Sequence, residues 1–143
     1  MLVPDVNVLL YAFRMDSERH EEYRDWLAAK LTGAEPFGLS ELVLSGVVRI
    51  ATNPRAFPRP SKPEVAMRFC EDILRARAVI PLRPGARHWA IFAELCKTVG
   101  AKGNLIPDAY HAALAIENGA TWVTTDRGFA RFPNLRWQLP LEN

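Results

Sequence analysis

Residues 2–13 of the chain read LVPDVNVLLYAF, and this stretch decides the fold. Its first residues are apolar, which predicts a short buried strand from Leu2 to Val6. The apolar residues continue from Asn7 to Phe13, which indicates a buried helix. Asp5 therefore places a carboxylate at the carboxyl end of a buried strand, where an unpaired charge is costly.

The whole chain has the length and composition of one ordinary globular domain. It has 143 residues, of which 49% are hydrophobic and 24% are charged, and we expect a single domain over residues 1–143. The net charge of +2 excludes a strongly basic tail. No apolar run approaches the ~20 residues of a membrane span, and the amino terminus lacks the basic region of a secretory signal. Cys70 and Cys96 match no zinc-binding spacing, so we expect a cytoplasmic protein with reduced, buried cysteines.

Strand-like and helix-like segments alternate along the rest of the chain. This alternation favours an α/β fold with a mainly parallel central sheet flanked by helices. Asp16 and Ser17 are predicted caps for the second helix, and Ser40 is a predicted cap for a helix over 41–52. The further strands are predicted at 37–39, 78–82, 121–125 and 136–139, and the further helices after residue 64, at 86–98 and from Pro107 to about Asn118.

The apolar faces of two of these helices are also predicted from spacing. The helix after residue 64 should bury Val65, Phe69, Ile73 and Leu74, and the helix over 86–98 should bury Trp89, Phe92 and Cys96. His20 and His88 adjoin charged residues, which favours positions on the surface.

Four acids stand at element boundaries, inside apolar sequence with few cations nearby. Asp5 follows the first strand and Asp126 ends the strand WVTTD, whereas Glu41 and Asp108 lie in the first turns of helices. Because strand carboxyl ends and helix amino ends meet at one edge of a parallel sheet, we expect these four acids to lie together there.

Carboxylates gathered at one edge repel one another. Two like charges ~4 Å apart cost ~4 kcal/mol near a protein surface, so either the acids are partly protonated or a hard cation compensates them. Oxygen ligands suit Mg²⁺ or Mn²⁺, whereas zinc favours His or Cys. Each acid also has a plainer interpretation: Glu41 and Asp108 as first-turn charges and Asp126 as a turn cap. Asp5 has no such capping role.

Weaker signals lie near these acids. Asn7 is a candidate for orienting a metal-bound water or for starting a helix, and Thr124 and Thr125 offer hydroxyls beside Asp126. His111 follows Asp108 as Asp-x-x-His and is either a ligand or a core histidine. The loop 53–63 contains four of the eleven prolines, and its cations are candidates for guiding an RNA phosphate backbone or are merely solvated: Arg55, Arg59 and Lys62.

Four motifs in this order resemble the PIN domain, and more narrowly the VapC-type toxins of bacterial toxin–antitoxin modules. They are DVNVLLYA at 5–12, SELV at 40–43, PDAYHAALA at 107–115 and TTDRGF at 124–129. The resemblance implies a PIN-like fold and endoribonuclease activity that depends on Mg²⁺ or Mn²⁺. It also implies a homodimer and a small VapB-type antitoxin that neutralises the toxin in a larger complex, with inhibition by an antitoxin arginine inserted among the acids as one hypothesis.

The resemblance also assigns roles to individual residues. The family's acids, which hold the metal and carry catalysis, match Asp5, Glu41, Asp108 and Asp126, and its supporting polar residues match Asn7 and Thr124. Two positions depart from the pattern. Val6 stands where many relatives place Thr or Ser, and Pro4 removes a ladder donor from the first strand, where we expect a local irregularity.

Three other functions compete with this interpretation. An aspartate-based phosphatase expects a second acid where Asn7 stands, and a receiver-like domain expects its phosphoacceptor later in the chain. A catalytically silent module that binds RNA or a protein is the alternative from a different class, and metal titration separates it from a nuclease. A metal-free nuclease with paired histidines is disfavoured, because only His111 lies near the predicted site.

Overall fold

A computed structural model describes residues 1–142 of the chain. The strands described there are β1 (Leu2–Pro4), β2 (Phe37–Ser40), β3 (Val79–Leu82), β4 (Thr121–Val123) and β5 (Arg136–Gln138). They form one sheet in the order β3-β2-β1-β4-β5, and every pairing is parallel. The predicted α/β fold with a parallel central sheet is therefore confirmed.

Six α-helices and one 3₁₀ helix accompany the sheet in the described part of the chain. The α-helices are α1 (Val6–Phe13), α2 (His20–Thr32), α3 (Glu41–Ala51), α4 (Pro63–Leu74), α5 (His88–Val99) and α6 (Leu105–Glu117), and the 3₁₀ helix spans Arg127–Arg131. None of the α-helices between residues 1 and 142 is long and apolar enough to cross a membrane.

The two central strands carry the core. Val3 on β1 and Trp122 on β4 are fully buried, as is expected for parallel strands covered on both faces. α6 presents the small side chains of Ala109, Ala112 and Ala113 to the interior. Small residues let a helix approach its neighbours closely, and this places the first turn of α6 near the ends of the strands.

Pro4 shapes the sheet as its chemistry requires. The Leu2 N–H donates to the Pro36 carbonyl beside β2, and the Asp5 N–H donates to the Val123 carbonyl of β4. Because successive residues of a strand point to alternate sides, the N–H that Pro4 lacks belongs on the β2 side. Accordingly β1 pairs with β4 over three residues but with β2 only at Leu2. The expected irregularity is a shortened β1–β2 ladder.

Two helix starts differ from the prediction. α2 begins without a side-chain cap, after Arg19 in the left-handed conformation (φ 60°), so the expected caps Asp16 and Ser17 are wrong. Asp16 is unavailable as a cap because both its carboxylate oxygens accept hydrogen bonds from Arg14. α6 begins at Leu105, so Pro107 is its third residue rather than its first.

The rotation of two helices also differs from the prediction. Trp89 on α5 is 71% exposed, whereas the neighbouring His88 is only 2% exposed and contacts the Tyr110 carbonyl oxygen through Nε2 at 3.0 Å. The predicted burial of Trp89 and the predicted exposure of His88 are therefore wrong. On α4 the fully buried positions are Ala66, Cys70 and Ile73, and Val65 is exposed.

Arg14 fixes the proline-rich loop to the carboxyl end of α1. Its Nη1 donates to the Arg59 carbonyl at 2.9 Å and to the Ser61 hydroxyl at 3.0 Å. Its guanidinium also lies 3.9 Å from the centre of the Phe57 ring. The side chain of Arg14 is buried, so the loop is held by a desolvated cation with several partners rather than by regular structure.

Candidate active site

Asp5 joins β1, β4 and α1. Its Oδ1 accepts a hydrogen bond from the Val6 N–H at 2.6 Å, and its Oδ2 accepts one from the Thr124 hydroxyl at 2.7 Å. The side chain is buried, and burial raises the pKa of Asp5, with the charge of Asp126 acting in the same direction and the two hydrogen bonds opposing it. Asp5 is also the N-cap of α1, so the interpretation that it has no capping role is wrong.

Thr124 connects two of the predicted acids. Its hydroxyl donates to Asp5 and accepts a hydrogen bond from the backbone N–H of Asp126 at 3.0 Å, and the side chain is fully buried. Asp126 in turn uses Oδ1 to accept from the Gly128 N–H at 2.7 Å, which caps the 3₁₀ helix. Asp126 therefore has the capping role that its sequence context suggested, and it also adds negative charge near Asp5.

Asp108 completes a group of three interacting carboxylates. It lies half-buried in the first turn of α6. The pKa of Asp108 is raised to about 6, mainly by burial and further by the charges of Asp5 and Asp126, while the charge of Arg131 opposes the rise. The structure therefore brings Asp5, Asp108 and Asp126 into one electrostatic field, as expected for strand ends and a helix start at one edge of the sheet.

The side chain of Glu41 does not join this group. Its backbone follows β2, the neighbour of β1, so Glu41 lies at the predicted edge of the sheet. Its carboxylate, however, is 67% exposed and accepts a hydrogen bond from Arg83 Nη2 at 2.8 Å. Arg83 follows β3, so the Glu41 side chain points along the edge toward β3. Ser40 accepts from the Leu42 N–H at 3.2 Å and is the N-cap of α3, as predicted.

The remaining predicted residues have distinct positions. Asn7 is half-buried in the first turn of α1, and Thr125 lines a surface hollow with Tyr23 and Leu141. His111 is buried and its ring stacks on Trp122, with centroids 5.1 Å apart, which favours the core interpretation. The cations of the proline-rich loop are exposed at the carboxyl end of α1, the end opposite to Asp5: Arg55, Arg59 and Lys62.

The side chains as placed do not form a coordination shell. Between residues 1 and 142, no three His, Cys, Asp or Glu side chains are close enough to hold a metal ion together. The chemistry of the donor set nevertheless fits a hard divalent cation. Asp5, Asp108 and Asp126 supply oxygen ligands only, and burial together with the charges of neighbouring acids disfavours the ionised forms of Asp5 and Asp108. A cation would remove this repulsion.

Two cations near the acids were not predicted from the sequence. Arg83 pairs with Glu41, and Arg131 acts on Asp108 through its charge. Arg131 stands five residues after Asp126, and only the 3₁₀ geometry of the intervening segment directs its side chain back. No hydrophobic periodicity in the sequence predicts a 3₁₀ helix over Arg127–Arg131, so the position of Arg131 near the acids could not be predicted.

Comparisons with known proteins agree with this architecture. The PIN domain family matches residues 2–135. The chain is 49% identical over 142 residues to ribonuclease VapC43 of Mycobacterium tuberculosis, covering 99% of this chain and 97% of that protein. It is 40% identical over 140 residues to ribonuclease VapC37 of the same organism, covering 98% of this chain and 97% of that protein.

Solved structures share the fold at lower sequence identity. VapBC2 from Rickettsia felis, bound to a DNA fragment from its promoter, matches with a TM-score of 0.67 and 22% identity, covering 96% of this chain and 97% of that one. VapC20 of Mycobacterium tuberculosis, a sarcin-ricin loop cleaving toxin, matches with a TM-score of 0.66 and 15% identity. The match covers 95% of this chain and 99% of that one. The chain therefore belongs to the PIN-domain family, as a relative of the mycobacterial VapC ribonucleases.

Proposed function

We propose that this chain is the toxin of a type II toxin–antitoxin module, a VapC-type endoribonuclease that hydrolyses RNA phosphodiesters with Mg²⁺ or Mn²⁺. The observation that carries the proposal is the group of three carboxylates at one edge of the sheet. Burial and the charges of neighbouring acids raise the pKa values of two of them, Asp5 and Asp108. The names of the relatives at 49% and 40% identity support a nuclease rather than another use of the same acids.

In this proposal, the chain's acids hold the divalent cation. Asp5 and Asp108 would be the principal ligands, Asp126 would complete the set, and Glu41 would support it directly or through water. A bound divalent cation lowers the pKa of a coordinated water and neutralises charge that develops on phosphate oxygens. The Thr124 hydroxyl fixes Asp5 from one side at 2.7 Å, so the carboxylate is oriented before the substrate arrives.

In this proposal, a carboxylate of the chain also accepts the proton that the attacking water releases during hydrolysis. The attacking water forms a bond to phosphorus, the bond between phosphorus and the leaving RNA oxygen breaks, and a carboxylate accepts the proton of the water. Glu41 and Asp126 are the candidates for this base. Glu41 is exposed, and Asp126 uses only Oδ1 in capping the 3₁₀ helix, which leaves Oδ2 for the water. Asn7, half-buried two residues after Asp5, is positioned to orient such a water.

A cleavage assay with total RNA tests the proposal. We expect internal cuts in the presence of Mg²⁺ or Mn²⁺, loss of cleavage in excess EDTA, and recovery when the metal is restored. Mapping the cut ends identifies endonuclease products. RNA binding that persists in EDTA without cleavage at any metal concentration would instead support a catalytically silent module, and a trapped phospho-aspartate would support a phosphatase.

A pair of variants tests the role of Glu41. We expect Glu41→Gln to lower cleavage about 100-fold, because it removes a carboxylate from the acid edge. The free energy of unfolding should change by less than ~0.5 kcal/mol, since the ion pair with Arg83 is exposed. Arg83→Gln breaks the same ion pair but keeps the carboxylate, so it should cleave at least as fast as the wild type. Equal losses in both variants would show that only the ion pair matters.

The proposed partners are an RNA substrate, a VapB-type antitoxin and a second copy of the chain. The structural neighbour VapBC2 from Rickettsia felis supports the antitoxin, because it contains both components of such a module. Exposed apolar side chains at the end of α1 and the start of α4 support a docking surface there: Met15 and Val65 line one hollow with Phe13. The dimer, and the larger complex with antitoxin, rest on the family resemblance alone.

A further inference from the structure

Arg131 and Asp126 are held by the same residue, Gly128. The Gly128 N–H donates to Asp126 Oδ1 at 2.7 Å, and the Gly128 carbonyl accepts a hydrogen bond from Arg131 Nε at 2.8 Å. A single peptide segment of the 3₁₀ helix therefore orients both a carboxylate of the acid site and a guanidinium.

The Asp126 carboxylate and the Arg131 guanidinium lie on the same side of Gly128. A Cβ built on Gly128 would lie 2.8 Å from Asp126 Oδ1 and 3.2 Å from Arg131 Nη2. The carboxylate and the guanidinium therefore both lie against the side of Gly128 that a side chain would occupy. The charge of Arg131 also reaches Asp108, where it opposes the rise in pKa that burial and the other acids produce.

The guanidinium of Arg131 has donors to spare. Its side chain is exposed, and none of the ion pairs formed within residues 1–142 involves it. Nε is the atom that bonds to the Gly128 carbonyl, which leaves the two Nη groups for another acceptor. Arg127, four residues earlier on the same 3₁₀ helix, instead pairs with Glu142 at 3.6 Å.

An RNA phosphate that approaches this edge meets three negative side chains. A cation of the protein is needed to offset that repulsion, and a guanidinium whose orientation is already fixed offers parallel N–H donors that match phosphate oxygens. We propose that Arg131 binds an RNA phosphate at the acid site and positions the strand for cleavage. The assignment rests on the proposed ribonuclease function and adds a substrate-binding residue to it.

Binding of a labelled random-sequence pool of single-stranded RNA tests the assignment without cleavage. Fluorescence anisotropy is measured over a range of salt concentrations in the Asp5→Asn background, in excess EDTA, with and without Arg131→Gln. We expect Arg131→Gln to weaken binding about tenfold and to reduce the slope of log affinity against log salt by about 0.7, the value for one lost phosphate contact on a single strand. Arg127→Gln is the matched control and should change neither quantity.

Two further measurements separate phosphate binding from a structural role. Arg131→Lys keeps the charge and should keep the salt slope, whereas a role limited to bracing Gly128 predicts equal losses for Lys and Gln. The rise in melting temperature on adding Mn²⁺ should be unchanged or larger in Arg131→Gln, because a cation beside the acids has been removed. Wild-type affinity and salt slope in Arg131→Gln would overturn the assignment.

Failure of this assignment and failure of the proposed function give different results. If the wild-type chain fails to cut RNA with any metal but Arg131→Gln still weakens RNA binding, the nuclease proposal fails and the phosphate contact stands. If the wild type cuts RNA and Arg131→Gln binds and cuts as the wild type does, the nuclease proposal stands and the role of Arg131 is refuted.

Discussion

Replacing Asp5 with asparagine should lower RNA cleavage by about 1,000-fold or more, with the fold intact. The carboxylate lies at the meeting point of β1, β4 and α1, and it is the most buried of the three interacting acids. In the proposed mechanism, removal of its charge weakens a principal ligand of the divalent cation, and losses of this size are typical when a central catalytic group is deleted.

Asparagine is the right substitution because it keeps the hydrogen bond from Val6 and can still bond to Thr124, with the direction of that second bond reversed. The amide oxygen can still accept from the Val6 N–H, and the amide nitrogen can donate to the Thr124 hydroxyl, which already accepts from Asp126. Asp5→Ala would lose the cap as well as the charge and so confuse stability with activity. The measurement is the cleavage rate at saturating Mn²⁺, with the melting temperature as a check on folding.

Asp25→Asn provides the control for Asp5→Asn. Asp25 is an exposed acid on α2 whose carboxylate contacts Arg24 at 3.3 Å, outside the three interacting acids. The Asp25→Asn substitution makes the same chemical change as Asp5→Asn and should leave cleavage unchanged. Wild-type cleavage by Asp5→Asn would contradict the proposed mechanism outright, because that mechanism makes Asp5 one of its two principal ligands.

Replacing Asp108 with asparagine should lower the cleavage rate but raise the stability of the fold. Cleavage should fall by about 1,000-fold, since Asp108 is the second principal ligand of the proposed mechanism. In EDTA at pH 7, however, the variant should be more stable than the wild type by about 1 kcal/mol, once the partial exposure of the side chain is allowed for. The gain arises because burial and the charges of Asp5 and Asp126 disfavour the ionised form of Asp108.

The pH dependence of this gain follows from the direction of the shift. The pKa of Asp108 rises from 3.8 to about 6 on folding, so the folded protein binds the proton more tightly than the unfolded chain does. The wild type therefore loses stability relative to Asp108→Asn as the pH rises from about 4 to about 6, and the difference is constant above that range. Chemical unfolding of both proteins in EDTA at pH 4, 5, 6 and 7 measures it. A difference that does not grow over this range would show that folding does not raise the pKa of Asp108.

The architecture was predictable because the alternation of strands and helices is strong at every element. The apolar start at Leu2, the cap at Ser40 and the β-branched stretch from Thr121 each agree with the fold they adopt. Parallel pairing then brings the ends of β1 and β4 together, which is why Asp5 and Asp126 were expected to be neighbours.

The remainder depends on contacts that a single sequence does not show. The exposure of Trp89 and the burial of His88 are set by how α5 rotates against α6, because a shift of one residue turns a helix by ~100°. Glu41 is at the predicted edge, but its carboxylate turns to Arg83, which belongs to a distant part of the sequence. Arg131 reaches the acids only through the 3₁₀ geometry after Asp126.

Helix α1 connects Asp5 to the residue that anchors the proline-rich loop. Its eight residues span ~12 Å, with Asp5 at one end and Arg14, which grips the loop through Arg59 and Ser61, directly after the other. A molecule that binds this loop therefore contacts a segment anchored to the same helix that Asp5 caps. In the proposed ribonuclease, RNA bound at this loop and the carboxylate of Asp5 would be connected by one short helix.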